Sequence, residues 1–359
     1  MQNINYKINQ SKPKFIFLSI RKNILPSILC IFIIGLVVFS NSNLSAAKEG
    51  LILWANNVVP SLLPFFIATE LLGYTNVVSK LGKLLNPIMR PLFNVPGIGS
   101  YPLIMGIISG YPTGAKIVVN LRNEGLCTKE EAERMVAFSN NSGPLFILGT
   151  VGITLFGNST IGFLLLFTHI LSSLSVGFIF RYWKAKNNKS ILSSKKILNN
   201  KEQVDFSNLG DILGKCIFSS IKTVVIIGGF IVLFSVILSI LKNSNIINII
   251  SQFFYPFLKC FWIEDFRFSL SLVSGFLELT NGVMQVTSIA CKEISINIIL
   301  CAFLLGFGGI SILLQVYSII AKSDISIKAY FIGKLLHGIL AAFYTFILLT
   351  YFPIFNLNL

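Results

Sequence analysis

Ser109-Gly110-Tyr111-Pro112-Thr113-Gly114-Ala115-Lys116 interrupts, near its middle, an apolar stretch running from about 98 to 119. Proline removes a backbone donor and glycine loosens the chain, so one continuous helix carries such a run poorly. The stretch reads as a re-entrant hairpin of two half-helices. At an offset of 165 residues a second apolar stretch, about 266 to 289, is broken by Ser274-Gly275 and by Thr280-Asn281-Gly282. The same offset pairs Pro91 with Pro256, Ile98 with Ile263, Val118 with Val283, Ala137-Phe138 with Ala302-Phe303, Gly143 with Gly308 and Ile147-Leu148 with Ile312-Leu313. The count of matches is modest for so apolar a chain, but glycine and proline recur where helices should break. His169 and His337 fall in the apolar span closing each half, at a slightly larger offset of 168.

With 54% hydrophobic and 12% charged residues, the 359-residue chain has too little polar surface for a water-soluble globule. The fold class expected is an all-α polytopic membrane protein: an inverted-topology repeat with two re-entrant hairpins and two broken transmembrane helices. A net charge of +15 raises nucleic acid as a partner, but the basic residues cluster in short loops beside apolar spans, where they orient helices toward an anionic cytoplasmic leaflet. Lipid is the partner expected, and nucleic acid is not. The six cysteines form no C-x-x-C pair and read as small core hydrophobes, neither a disulfide frame nor a metal site.

Crossings are expected at about 24–40, 51–73, 135–155, 160–181, 216–241, 297–320 and 329–352. Lys7, Lys12, Lys14, Arg21 and Lys22 precede the first, and eight basic residues between Arg181 and Lys215 follow the fourth. Both groups belong on the cytoplasmic side, which requires residues 98–119 to turn back. On that arrangement 21 of the 29 Lys and Arg are cytoplasmic, 5 are outside and 3 (Lys116, Lys222, Lys334) lie within the membrane. The expected organisation is residues 1–50 as a cytoplasmic segment with the first span, 51–181 as a first gate-like repeat, 182–215 as a basic cytoplasmic linker, 216–353 as the inverted second repeat, and 354–359 as an external tail. The first span, with Ser45-Ala46-Ala47 behind it, also fits a signal peptide. Lys80, Lys83 and Arg90 punctuate leucines at helical spacing, which suggests an interfacial helix before the first hairpin.

Irregular backbone survives in a bilayer only where protein or a water-filled cavity satisfies it, so the breaks mark the site. Four are expected to converge near the midplane: Ser109 to Lys116, Ser139 to Pro144, Ser274 to Gly282 and Gly306 to Gly309. Half-helices beginning there aim unpaired N–H groups inward and favour an anion. The cargo-binding candidates are Ser109, Gly110, Tyr111, Thr113, Gly114, Lys116, Asn140, Asn141, Ser142, Ser274, Gly275 and Asn281, with Glu278 taking a coupling cation or a proton. The competing reading has Lys116 and Glu278 pairing with each other. Glu70 reads as interfacial, Lys222 and Lys334 as reaching the cytoplasmic surface along their stems, and the two histidines as structural or as a proton relay. Phosphate-cradle, H-E-x-x-H and G-x-S-x-G motifs are absent, so no enzyme, cofactor or metal is expected.

Val59-Pro60-Ser61-Leu62-Leu63-Pro64-Phe65-Phe66, Ser109 to Lys116, Glu131-Ala132-Glu133-Arg134 and Phe138-Ser139-Asn140-Asn141-Ser142-Gly143-Pro144 together resemble the YlbJ-type sporulation integral membrane proteins, also called stage V sporulation protein V. The second half joins the resemblance through Ser274 to Gly282. This family in turn resembles the gate or nucleoside-recognition domains of concentrative nucleoside transporters, which carry paired hairpins and broken helices; the polar hairpin signature of those transporters is not evident here. The resemblance implies dipicolinate as cargo, moved out of the mother cell across the outer forespore membrane. A scaffolding role in spore envelope assembly is the alternative. Oligomerisation is open.

Overall fold

The computed structural model describes residues 12–185, 205, 207–290 and 294–351. The segment before Lys12, most of the basic linker and the 354–359 tail lie outside them. Among the described residues the chain is helical throughout, with no strand. Helix α1 spans Lys12–Val38 and meets α2, Ser40–Leu53, at a bend of 98° between Asn23–Val38 and Ser40–Asn56. Through a wide π turn, Trp54–Val58, α2 runs on into α3, Val59–Leu72. The expected crossing from 51 thus belongs to a rod that starts eleven residues earlier, and Ser45-Ala46-Ala47 is helical within it.

The first repeat continues with α4 (Val77–Phe93), α5 (Ser100–Ser109), α6 (Thr113–Asn123), α7 (Lys129–Ser139), a π-helix (Leu145–Leu155) and α8 (Ser159–Phe180). Then come α9 (Leu209–Asn243), α10 (Ile246–Lys259), α11 (Phe266–Leu277), α12 (Leu279–Ser288), α13 (Ile294–Phe307), α14 (Gly309–Ile320) and α15 (Ile327–Tyr351). Four helices, Ser159–Phe180, Leu209–Asn243, Ser295–Ile320 and Ile327–Tyr351, are long and apolar enough to cross a membrane, and up to six do if each bent pair is one span. Shorter apolar helices and exposed Leu, Ile and Phe side chains complete an integral membrane protein. The stretch expected as linker ends early: Leu209 to Lys215 is already α9.

Adding 165 to α5, α6, α7 and the π-helix gives 265–274, 278–288, 294–304 and 310–320; α11 to α14 occupy 266–277, 279–288, 294–307 and 309–320. Adding 168 to α8 gives 327–348, against 327–351 for α15. The relative direction of these last helices follows from Glu133, buried in α7. Its carboxylate accepts from Trp183 Nε1 (2.8 Å) and Lys184 Nζ (2.7 Å), just past the end of α8, and from Ser326 N (3.3 Å), just before α15. One helix ends at the face where its equivalent begins, so the repeat is inverted. At the same face Arg122, closing α6, donates Nε and Nη2 to Asp324 (2.9 and 2.8 Å).

Both hairpins fold because small residues let backbones touch. A Cβ at Gly106 or Gly114 would come within 1.7 and 2.0 Å of the Ser139 carbonyl oxygen, which lies between α5 and α6 at the end of α7. In the second hairpin Gly275 and Gly282 face one another, and a Cβ on Gly282 would meet Gly275 Cα at 2.2 Å. The chain turns at Gly110 (φ 78°) in the first and at Glu278 alone in the second, while Gly308 (φ 85°) separates α13 from α14.

Candidate substrate site

Two polar centres flank the first hairpin. One is a cavity of about 370 Å³ between α3, α5, α6 and α9, whose polar lining includes Thr69, Glu70, Thr113, Lys116 and Thr223 together with Asn76, Asn120 and Glu124. Lys116 Nζ donates to Glu70 Oε1, to Ser219 Oγ (3.0 Å) and to Thr223 Oγ1 (3.1 Å). Ser219 Oγ also reaches Glu70 Oε1 (3.3 Å). From there Thr69 Oγ1 bonds Ser109 Oγ (2.9 Å) and the Phe65 carbonyl, and Tyr101 OH donates to the Thr69 carbonyl. Pro112 gives the N-terminus of α6 no side-chain cap; Thr113 N donates to the Gly110 carbonyl (3.1 Å), and Asn140 Oδ1 lies 3.5 Å from Ala115 N. Thr113, first residue of α6, lines the cavity, and its buried hydroxyl has no hydrogen-bond partner among the described residues. A cation beside an unpartnered hydroxyl and the positive end of a helix favours an anionic group.

The second centre lies at the break between α7 and the π-helix. Lys334, on α15, is 1% exposed. Its Nζ donates to the Asn140 carbonyl (3.3 Å) and to His337 Nδ1 (3.2 Å), and lies 5.6 Å from the centre of the Tyr111 ring. His337 Nε2 donates to the His169 carbonyl (2.9 Å), and the two imidazoles pack 4.4 Å apart. Ser142 N donates to His169 Nε2 (3.0 Å), Asn140 Nδ2 to Tyr330 OH (2.9 Å) and Tyr111 OH to Ser142 Oγ (2.9 Å), with the Leu305 carbonyl at 3.3 Å.

The four breaks meet through short contacts. A Cβ on Gly110 would lie 2.8 Å from Gly143 N, Tyr111 touches Leu305 beside the second break, and Gly309 packs against the Gly275 carbonyl. Of the residues expected at the site, Ser109, Thr113 and Lys116 serve the cavity; Gly110, Tyr111, Asn140 and Ser142 serve the Lys334 centre. Asn141 turns its amide to the Phe138 carbonyl, and Gly114 is packing. Ser274, Gly275 and Asn281 lie at the second tip, away from both lysines.

Several expectations are corrected. Lys116 and Glu278 do not pair, because Glu278 faces its own helix: its carboxylate accepts from Thr280 N (3.0 Å), Asn281 N (2.8 Å) and Asn281 Nδ2 (2.9 Å) and so caps α12. Glu70 is no interfacial bystander but the partner of Lys116. Lys334 does not reach a surface, because the α7 break and the Tyr111 ring enclose its stem; Lys222 is exposed on α9. Lys334 and Tyr330, and the Lys116 partners Glu70, Ser219 and Thr223, are site residues that sequence reasoning missed. The sign was present, since Lys334 stands one turn before His337 in an apolar span.

An inverted pair of hairpin-and-broken-helix repeats closed around buried cations defines a polytopic membrane protein of gate-domain type. A family model described as Gate, nucleoside recognition, matches residues 55–180, the first repeat. The chain is 37% identical over 326 residues to the sporulation integral membrane protein YlbJ of Bacillus subtilis (strain 168), a match covering 88% of this chain and 79% of that protein. The chain belongs to the YlbJ family of sporulation integral membrane proteins. No solved structure matches it.

Proposed function

We propose that the protein is a transporter of a small organic anion, dipicolinate, carried from the mother cell toward the forespore across the outer forespore membrane, with no covalent step. The observation that carries this reading is that Lys116 and the unpartnered Thr113 hydroxyl, both in the first half of α6, line one hollow of about 370 Å³. That volume sits at the small end of ligand pockets, roughly 300 to 1,000 Å³, and suits a flat pyridine bearing two carboxylates. Glu70 is the carboxylate that Lys116 now holds, so a cargo carboxylate enters by exchange with it. The clustering of Lys and Arg supports a cytoplasmic N-terminus.

The test is uptake of labelled dipicolinate by proteoliposomes of the full chain, beside the dipicolinate content of spores carrying the same variants. Lys116→Ala is expected to reach the membrane in normal amount and to lower uptake about tenfold or more, the loss of a charge-assisted contact. Normal uptake and normal spore dipicolinate in Lys116→Ala would remove the site; a wild type that moves no dipicolinate under any ion gradient would remove the function and leave the scaffolding reading.

A further inference from the structure

Lys334 stands apart from the other buried charges of this chain. Lys116 has Glu70; Arg134 is held against the Trp183 carbonyl with Glu131 and Glu133 nearby on α7; Glu133 has Lys184. Lys334 has no carboxylate within ion-pair distance among the described residues. The groups around it come from every neighbouring element: Tyr111 from the first tip, the Asn140 carbonyl from the break, His169 from α8, and Tyr330 and His337 from α15 itself. On α13, which packs along α15, the titratable residue is the buried Cys301. All are neutral side chains or histidines, the charges of the neighbouring α7 being taken up elsewhere (Glu131 by Arg90, Glu133 by Lys184, Arg134 by the Trp183 carbonyl), and an ammonium enclosed by such groups alone is unfavourable. The same centre holds further unmet polar atoms: Ser139 Oγ, Asn141 Oδ1 and His169 Nδ1 are buried with no hydrogen-bond partner among the described residues. The Tyr111 ring covers Lys334, and Thr113, two residues on, lines the hollow.

We infer that Lys334, with the Asn140–Ser142 backbone, is a second carboxylate site, entered past Tyr111 from the Lys116 cavity, and that a carboxylate binds there together with a proton. The step balances in charge: the amine takes one proton from the compartment the cargo leaves, the resulting ammonium pairs with one carboxylate, and both are given up at the other side. The inference rests on the transport reading above and adds a coupling ion to it.

The experiment is calorimetric titration of dipicolinate into the purified full chain in two buffers of different ionisation enthalpy, which counts protons exchanged per ligand. The wild type is expected to take up about one proton per dipicolinate, with affinity falling as pH rises. Lys334→Met is expected to weaken binding about tenfold or more. Lys334→Arg, which is charged throughout, is expected to bind dipicolinate with no proton uptake. Wild-type binding without proton uptake overturns the inference and spares the transport reading, and an unchanged proton count in Lys334→Arg does the same. Absence of any binding or uptake by the wild type overturns both. Monodispersity of each variant on gel filtration separates these results from misfolding.

Discussion

The two hairpins share an architecture and differ in what sits at the turn. In the second, the new helix is closed by its own side chain: Glu278, 6% exposed, spends both carboxylate oxygens on the first turn of α12. In the first, Pro112 offers no side chain to α6, and the residue equivalent to Asn281 is Lys116, a cation facing a hollow. The last helices differ likewise, since Lys334 of α15 corresponds at offset 168 to Leu166 of α8. Equivalent helix starts are thus treated differently: the second is closed by its own carboxylate, and the first keeps a cation beside a hollow.

The strongest way to break this comparison is to force the first hairpin off its seat. A methyl group at Gly114 would sit 2.0 Å from the Ser139 carbonyl, a backbone atom with nowhere to retreat. Gly114→Ala is therefore expected to destabilise the protein by about 3 kcal/mol or more and to remove most of the monodisperse material extracted in detergent. Gly149→Ala, where nothing lies within 4 Å of the added carbon, is the control and should extract like the wild type. Equal yields for the two would show that the tip is not held by the α7 break.

Next in size is the cap that distinguishes the second hairpin. Glu278→Ala strips three hydrogen bonds from the start of α12 and is expected to cost about 1 to 2 kcal/mol, read as a lower midpoint of thermal unfolding in detergent. Glu278→Gln, which keeps an acceptor, should lose less. If Glu278 were the coupling site, the Gln variant would instead melt normally and lose ion dependence of uptake. Glu70→Gln sharpens the other side of the comparison. It removes the carboxylate that competes for Lys116 while Ser219 and Thr223 still hold the ammonium, so the apparent KM for dipicolinate should fall about threefold to tenfold, worth roughly 0.7 to 1.4 kcal/mol.

The breaks were legible in the sequence because their cause is local: proline and glycine interrupt apolar runs whatever surrounds them, and their recurrence near a fixed offset located α5 to α7 and α11 to α14 to within a few residues. The amphipathic α4 was legible for the same reason. The partners of the charges were not. Glu70 is 46 positions from Lys116, and Lys334 is 194 from Asn140, and no periodicity encodes which polar groups meet across a fold. Snorkelling was the natural reading of Lys334 for an isolated helix, and it failed because α15 is packed by α7, α8 and α13 along the face that carries the lysine. The cap by Glu278 was readable in principle, since a carboxylate followed by Thr280 and Asn281 at a helix start is an N-cap pattern. The expectation that membrane charges serve cargo obscured it.

The smallest effect expected lies where the two repeats are tied outside the membrane. Arg122, ending the first hairpin, forks onto Asp324 in the turn before α15, and this pair of hydrogen bonds holds the Asp324 carboxyl below its ordinary value of 3.8. A carboxyl lowered in the folded state is stabilising above its unfolded value and loses that contribution as pH falls through the folded one. The contribution is thus complete from neutral pH down to about 5 and fades below about 4. With Arg122 and Asp324 side chains 25% and 49% exposed, solvent screening keeps it under about 1 kcal/mol. Asp324→Asn should therefore melt slightly below the wild type at pH 7, by the same margin at pH 5, and by a shrinking margin as pH falls below about 4. A margin that instead grew on acidification would place the tie in the neutral carboxyl and leave Glu133, through Ser326 N, as the carboxylate tie at that face.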